Sequence, residues 1–263
     1  MADGNQHRIA YLPVGNEVEL FTAAAVQQLP VLLKGPTGVG KTRFVEYMAE
    51  KLCRPLITVA CHEDLSAADL IGRYLLEGEQ TVWLDGPLTR AVKAGAICYL
   101  DEIVEARADT IVVLHQLLDH RRELHVDRLG QSIAAAEGFM LVLSYNPGYQ
   151  SLHKELKPST RQRLVGIEFD FPPPEVETRV LTELYHAAPE LADQLVRLAN
   201  AIRRLDLPGL AEVASTRALI TTVLLVQGGS TPRTAATSAM AVAISDDADV
   251  IQVLTGLIDT YLP

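Results

Sequence analysis

The segment GPTGVGKT, from Gly35 to Thr42, restricts the possible folds of this 263-residue chain more than any other. An apolar run, Leu29 to Leu33, comes directly before it and predicts a short buried strand. The apolar residues that follow it recur at helical spacing: Phe44, Val45, Met48, Ala49 and Leu52. The chain therefore predicts a strand, a glycine-rich loop and a helix in succession.

This loop has the residue types needed to hold a polyphosphate. Gly38 and Gly40 let successive backbone N–H groups face one anion at the start of a helix. Lys41 is placed to reach the β- and γ-phosphates, and the Thr42 hydroxyl to ligate Mg²⁺. A turn that binds nothing would not require Lys and Thr at these offsets. The predicted nucleotide-binding residues are Gly35, Pro36, Thr37, Gly38, Val39, Gly40, Lys41, Thr42 and Arg43.

Further strands alternate with helical patterns after this loop. The predicted strands are Leu56 to Ala60, Ala96 to Leu100, Phe139 to Ser144 and Ile167 to Phe171, and a helix is predicted from Asp109 to Asp119. Such alternation is typical of an α/β fold, here a P-loop αβα sandwich with a parallel sheet covered on both faces.

Three prolines, Pro172 to Pro174, mark a domain boundary because they provide no backbone donors for sheet pairing. The apolar spacing beyond them is helical, over Val176 to His186, Leu191 to Leu205, Ser215 to Val226 and Asp246 to Tyr261. We therefore expect two domains, an α/β domain over 1–171 and a small all-α lid domain over 172–263.

Asp101 and Glu102 follow a predicted buried strand, at the edge where ligands of open α/β sheets collect. Asp101 is the candidate Mg²⁺ ligand, and Glu102 is the candidate base for an attacking water. An ordinary acidic exit from a strand is the alternative. Asn146, after the next strand, could orient water beside the γ-phosphate, although an Asn before Pro147 is also a frequent turn residue.

Three arginines are the remaining catalytic candidates. Arg161 and Arg163 precede the last predicted strand, and in a ring of identical subunits they could reach the neighbour's nucleotide. Arg217 begins a helix of the second domain and could sense the γ-phosphate. For each of them, exposure without a function is the alternative.

Composition disfavours several classes of partner. The chain carries 23 Lys and Arg against 33 Asp and Glu, a formal net charge of −10, which disfavours binding to nucleic acid or to anionic membranes. Its apolar stretches fall short of the roughly 20 residues needed to span a bilayer. Three scattered cysteines argue against a disulfide framework, and the first residues lack the apolar core of a secretory signal. We therefore expect a cytoplasmic protein.

Four long segments carry a resemblance to a known family. They are LPVLLKGPTGVGKTRFVEYMA, TVACHEDLSAADLIGRYLL, WLDGPLTRAVKAGAICYLDEIVEAR and LVLSYNPGYQSLHKELKPSTRQR. Together they resemble the CbbQ/NirQ/NorQ group of the MoxR branch of AAA+ ATPases, over about residues 10–263, and most of all the CbbQ branch, subunits of a Rubisco activase. In such a protein Gly35 to Thr42 would be Walker A, Asp101 and Glu102 Walker B, and Asn146 sensor 1. Arg161 or Arg163 would be the arginine finger, and Arg217 sensor 2.

The resemblance also implies an activity and partners. It implies an ATPase that uses ATP and Mg²⁺, works as a homo-hexamer and acts with a von Willebrand A-domain adaptor similar to CbbO or NorD. The implied client is Rubisco blocked by a sugar phosphate; maturation of nitric oxide reductase or of another metalloenzyme is the alternative. From a different class, a nucleotide-gated scaffold with little turnover is also compatible with the loop. The family further implies a pore-loop insert in Leu70 to Gly95, where Trp83 could either touch substrate or pack in the core, and a β-hairpin around Leu124 to Ile133.

Overall fold

The computed structural model describes residues 9–147, 156–207, 210 and 212–262. By its internal contacts the chain divides into two units, Met1–Gly35 with Lys41–Phe169, and Pro36–Gly40 with Asp170–Pro263. The first unit is an α/β sandwich and the second is helical.

A five-stranded parallel sheet forms the centre of the first unit. Its strands are β1 (Val31–Lys34), β2 (Leu56–Ala60), β5 (Ile97–Asp101), β8 (Met140–Tyr145) and β9 (Val165–Glu168). They lie in the order β2-β5-β8-β1-β9. Two antiparallel hairpins accompany the sheet, β3 (Gly72–Glu77) with β4 (Gln80–Asp85), and β6 (Glu123–Val126) with β7 (Gln131–Ala134). The helices of this unit are α1 (Glu17–Val26), α2 (Lys41–Lys51), α3 (Ala67–Ile71), α4 (Pro87–Ala94), α5 (Ala108–Val112) and α6 (Pro158–Arg161).

Strand β5 shows why the sheet is buried on both faces. Ile97 and Tyr99 pack into the core on one face of the sheet, which includes Phe44 of α2. Cys98 and Leu100 pack into the core on the other face. All four are fully buried. Alternate side chains of a strand point to opposite faces, so a continuous apolar run is the pattern expected of a central parallel strand.

The αβα sandwich is confirmed, and most strand limits differ from the expected ones by one or two residues. The expected element that differs most is the helix from Asp109 to Asp119, because the α-helix observed there ends at Val112. Beyond it the amides of Leu114, His115 and Leu117 donate to the carbonyl three residues earlier, as in 3-10 turns. Apolar residues three and four apart can be buried by either kind of turn, and here the tighter turns bury Leu114, Leu117 and Leu118.

The hairpin around Leu124 to Ile133 is present as β6 and β7. The insert from Leu70 to Gly95 contains a second hairpin, β3 and β4, and then α4. Four apolar side chains of the second hairpin are exposed, namely Tyr74, Leu76, Val82 and Leu84.

The second unit contains a bundle of helices with its own core. They are α7 (Pro174–Arg179), α8 (Pro189–Arg203), α9 (Thr216–Gln227), α10 (Pro232–Thr237) and α11 (Ala248–Tyr261). Helices α7 and α10 continue as π-helical turns over Val180–Leu184 and Ser238–Val242. Leu195, Leu219, Met240 and Leu254 are fully buried in this core. Among the described residues, no helix combines the length and apolar character needed to cross a membrane.

Candidate active site

The glycine-rich loop joins the end of β1 to the start of α2. Gly38 and Gly40 have φ angles of 75° and 98°, a left-handed region that favours glycine. Gly35 is required for close packing, since a Cβ there would lie 2.2 Å from the carbonyl oxygen of Phe169. The backbone thus has the conformation that glycines permit and that a phosphate cradle needs.

Lys41, the first residue of α2, is buried at the centre of the site. Its Nζ donates to the carbonyl oxygen of Gly35 at 2.6 Å and to Oδ1 of Asn146 at 2.5 Å. Asn146 in turn donates its Nδ2 to Oε1 of Glu102 at 2.6 Å. Lys41, Asn146 and Glu102, which are far apart in the sequence, therefore form one chain of hydrogen bonds.

Two oxygen donors for a metal ion lie next to this chain of hydrogen bonds. Oγ1 of Thr42 is 3.5 Å from Oδ2 of Asp101, within reach of a shared cation. A hydroxyl and a carboxylate oxygen are the ligand types that Mg²⁺ uses beside nucleotide phosphates. The residues present therefore fit both a polyphosphate and its Mg²⁺.

Glu102 has an unusual backbone and an unusual environment. Its φ of 54° and ψ of 47° are left-handed, a conformation that costs about 1–3 kcal/mol for a residue with a Cβ. Burial and then the neighbouring Asp101 raise the pKa of Glu102 above the ordinary glutamate value, while Lys41 and Asn146 oppose the rise. Once ionised, such a carboxylate accepts a proton more readily than an exposed glutamate does.

The arginines with predicted roles are exposed, in contrast to the buried Lys41. Arg161 donates Nε to the carbonyl of Leu156, and Arg163 donates Nη1 to the carbonyl of Ser159. Both side chains are exposed. Arg43 is exposed as well, and its Nε donates to the carbonyl of Ala10.

Arg217 lies in the second unit, which also contains Pro36–Gly40 of the loop. Its backbone N–H donates to the carbonyl of Gly38 at 3.3 Å, and its side chain is exposed. A Cβ on Gly38 would lie 2.6 Å from Oγ of Ser215, the N-cap of α9. The helix that carries Arg217 thus begins directly against Gly38, within the second unit.

Two protein families match this chain, and both agree with a nucleotide-binding site of this kind. Residues 30–164 match the AAA domain of the dynein-related subfamily, and residues 177–261 match the CbbQ/NirQ/NorQ C-terminal family. The chain belongs to the CbbQ/NirQ/NorQ family of AAA+ ATPases. AAA+ proteins hydrolyse ATP, and their AAA domain binds nucleotide, usually with Mg²⁺.

Relatives of this CbbQ/NirQ/NorQ chain cover almost its whole length. NorQ of Paracoccus denitrificans is 59% identical over 91% of this chain and 89% of its own length. The denitrification regulatory protein NirQ of Stutzerimonas stutzeri is 54% identical over 94% of this chain and 90% of its own length. CbbQ of Hydrogenophilus thermoluteolus is 52% identical over 91% of this chain and 90% of its own length. These identities confirm the family and do not favour its CbbQ branch.

Solved structures confirm the fold of this family member. A putative ATPase from Cytophaga hutchinsonii superposes with a TM-score of 0.55 at 15% identity, over 94% of this chain and 82% of its own. A RuvB mutant from Thermotoga maritima superposes with a TM-score of 0.57 at 14% identity, over 94% of this chain and 71% of its own.

Sequence reasoning missed two hydroxyls in this site. The Tyr99 hydroxyl donates to Oδ1 of Asp101 at 2.7 Å, and the Ser144 hydroxyl donates to the same oxygen. Burial and then Asp101 raise the pKa of Tyr99, which keeps its hydroxyl protonated as a donor. The sequence signal for them was their position, since Tyr99 and Ser144 each lie two residues before a candidate site residue, Asp101 and Asn146. A Tyr or Ser in a strand is usually explained by packing, so this signal was not sufficient.

The surroundings of Trp83 favour the packing interpretation. Its indole is half-buried against the core of the first unit, and Nε1 donates to Oδ1 of Asp85 at 2.8 Å. The ring also packs edge-on against Tyr74 across the hairpin. Leu76 and Leu84, exposed by 80% and 52%, are the most exposed of the four apolar side chains on this hairpin.

Proposed function

We propose that this chain binds MgATP, hydrolyses it and uses the energy to remodel a client protein. One observation carries the hydrolytic part: a phosphate-binding lysine, two metal-ligand oxygens, a candidate base and an amide converge in the first unit. They belong to Lys41, Thr42, Asp101, Glu102 and Asn146. A nucleotide-gated scaffold would need the lysine and the metal ligands but not the base.

Each residue has a distinct task in this mechanism. Lys41 exchanges its present acceptors, Gly35 and Asn146, for phosphate oxygens when nucleotide enters the loop. Thr42 and Asp101 would hold Mg²⁺, which supplies positive charge to the β- and γ-phosphates. Glu102 takes a proton from the attacking water, and Asn146 holds the Glu102 carboxylate in place.

We propose a homo-hexameric ring as the active form. Arg161 and Arg163 are exposed, and an arginine that stabilises the transition state from a neighbouring subunit must be exposed on its own subunit. Mixing the double variant Arg161→Ala, Arg163→Ala with Lys41→Ala should restore ATP hydrolysis where an intact site meets an intact arginine. If hybrid rings form and stay inactive, the arginines do not act in trans.

The adaptor and the client are also proposals. The family resemblance supports an adaptor with a von Willebrand A domain, similar to CbbO or NorD. Rubisco blocked by a sugar phosphate is one client. Maturation of nitric oxide reductase is the other, and the identities to NorQ and NirQ, 59% and 54% against 52% to CbbQ, support it at least as well.

Reconstitution with both clients separates these alternatives. The chain is combined with ATP and either adaptor, and the activity of inhibitor-blocked Rubisco or of immature nitric oxide reductase is followed. We expect one adaptor–client pair to be activated by the wild-type chain and not by Glu102→Gln. Equal activation by Glu102→Gln would support the scaffold, and no activation of either client would refute both.

Leu84→Glu tests the insert within the same assay. The exposed side chain should tolerate the charge, so ATP hydrolysis should be kept while client activation is lost. Trp83→Glu serves as the contrast, because its half-buried indole makes it a folding variant. Full client activation by Leu84→Glu would show that the hairpin does not contact adaptor or client through this residue.

A further inference from the structure

The two carboxylate oxygens of Asp101 have different neighbours. Oδ1 accepts the Tyr99 hydroxyl at 2.7 Å and also the Ser144 hydroxyl. Oδ2 lies 3.5 Å from Oγ1 of Thr42. Because Tyr99 and Ser144 hold one oxygen, the carboxylate cannot rotate freely, and Oδ2 stays on the side of Thr42.

Both hydroxyls come from rigid and buried positions. Tyr99 and Ser144 have no exposed surface, and they lie on the central neighbouring strands β5 and β8. Their oxygens are 3.1 Å apart. Side chains packed on central strands hold a geometry more precisely than side chains on loops.

Ser144 makes a second contact that Tyr99 does not make. Its Oγ accepts the backbone N–H of Glu102 at 3.2 Å. Strand β5 ends at Asp101, so Ser144 binds the N–H of the first residue beyond the strand. At that residue the backbone turns left-handed, with φ of 54°. Ser144 therefore contacts both acidic residues of the site.

We propose that Tyr99 and Ser144 are positioning residues, Tyr99 for the metal-binding carboxylate of Asp101 and Ser144 for both that carboxylate and the left-handed backbone of Glu102. This proposal rests on the proposed MgATP hydrolysis. It assigns the two hydroxyls separable effects, because only Ser144 contacts both acidic residues.

Two substitutions separate these effects. Tyr99→Phe removes the bond to Asp101 and the hydroxyl's longer contacts with Ser144 and Thr42, at 3.1 and 3.5 Å, with little change of shape. Ser144→Ala removes the bonds to Asp101 and Glu102 and the contact with Tyr99. Thr110→Val is the matched control, since it removes a buried hydroxyl bonded to the carbonyl of Leu65 in the same unit. Each variant is compared by thermal midpoint, by ATP hydrolysis over a Mg²⁺ titration and by binding of a fluorescent ATP analogue with and without Mg²⁺.

We expect Tyr99→Phe to raise the Mg²⁺ concentration needed for half-maximal nucleotide binding by about tenfold or more, the worth of one hydrogen bond to a charged group. Its kcat at saturating Mg²⁺ and its binding of Mg²⁺-free nucleotide should stay near wild type. Ser144→Ala should show the same Mg²⁺ shift and also lose about tenfold to hundredfold in kcat at saturating Mg²⁺. Thr110→Val should change only the thermal midpoint.

Unchanged Mg²⁺ dependence in both variants would overturn the proposal, as would equal kcat losses at saturating Mg²⁺. If Ser144→Ala does not fold, Tyr99→Phe decides the Asp101 part, and Ser144→Cys, which keeps a weak donor and acceptor, decides the Glu102 part. Absence of hydrolysis by the wild-type chain would refute the proposed function instead. The Mg²⁺ dependence of nucleotide binding would still test Tyr99 in that case.

Discussion

Removal of one partner from the buried ion pair between Glu177 and Arg203 should destabilise the second unit severely. Glu177 has no exposed surface, and the Arg203 side chain is 9% exposed. Arg203 donates Nη1 and Nη2 to the two carboxylate oxygens at 2.8 and 2.7 Å, and Thr216 donates to Oε1 at 2.6 Å. The guanidinium also stacks over the ring of Phe171, 4.1 Å from its centroid. The pair is fully hydrogen-bonded, so a variant that keeps one charge leaves it buried and uncompensated.

The size of the effect follows from this geometry. Breaking a buried pair by removing one partner costs about 3–5 kcal/mol. A chain of this size loses about 2–4 °C of thermal midpoint per kcal/mol, so Glu177→Gln and Arg203→Met should each lower the midpoint by about 6–20 °C. The double variant Glu177→Leu, Arg203→Met should recover most of this loss, because no charge is then buried.

Differential scanning calorimetry or circular dichroism at pH 7 measures these midpoints. Glu183→Gln is the matched control, because Glu183 lies six residues after Glu177 and its pair with Arg179 is exposed. Breaking that pair should leave the midpoint almost unchanged. A midpoint for Glu177→Gln no lower than that of Glu183→Gln would show that the buried pair does not stabilise the second unit.

Two further predictions concern the loop and the start of α1. Gly38→Ala should lower the thermal midpoint more than Gly40→Ala does. Both positions have positive φ, but only at Gly38 would the new Cβ lie against Ser215, 2.6 Å from its Oγ. Equal midpoints for the two variants would show that the backbone at Gly38 shifts freely. Burial opposes ionisation of Glu17, but the N–H groups of Val14 and Gly15 and the Tyr11 hydroxyl outweigh it and lower its pKa. This stabilisation is complete above the ordinary pKa of about 4.5 and is lost as pH falls through the lower folded value. Glu17→Gln should therefore destabilise by about 1–3 kcal/mol at pH 7 and progressively less below pH 4.5, as measured by urea unfolding; a difference independent of pH would contradict this.

The sequence predicted the fold wherever a pattern had one structural solution. An apolar run followed by GPTGVGKT and a helical repeat admits only a strand, a loop and a helix, and β1 and α2 are found there. The stretch after Ala108 admits both α-helical and 3-10 turns, since Leu114, Leu117 and Leu118 are buried by either. Tertiary packing decides between them, and it is not encoded in the local spacing.

The candidate site was predictable for residues that its motifs contain. Asn146 is hydrogen-bonded to both Lys41 and Glu102, as the order of motifs suggested. Tyr99 and Ser144 were not predictable, because their role depends on the register that brings β5 beside β8. A hydroxyl in a strand acquires a function only when the neighbouring strand places a carboxylate next to it.

ATP turnover by the purified chain, compared with that of Glu102→Gln, tests whether the chain hydrolyses MgATP with Glu102 as the base. We expect the wild type to hydrolyse ATP in the presence of Mg²⁺. Glu102→Gln should keep nucleotide binding and lose about 10²–10⁴-fold in turnover, the worth of a positioned base. Lys41→Ala should lose binding itself, because the buried ammonium group is then absent from the loop. Turnover by Glu102→Gln close to that of the wild type would remove Glu102 from the mechanism.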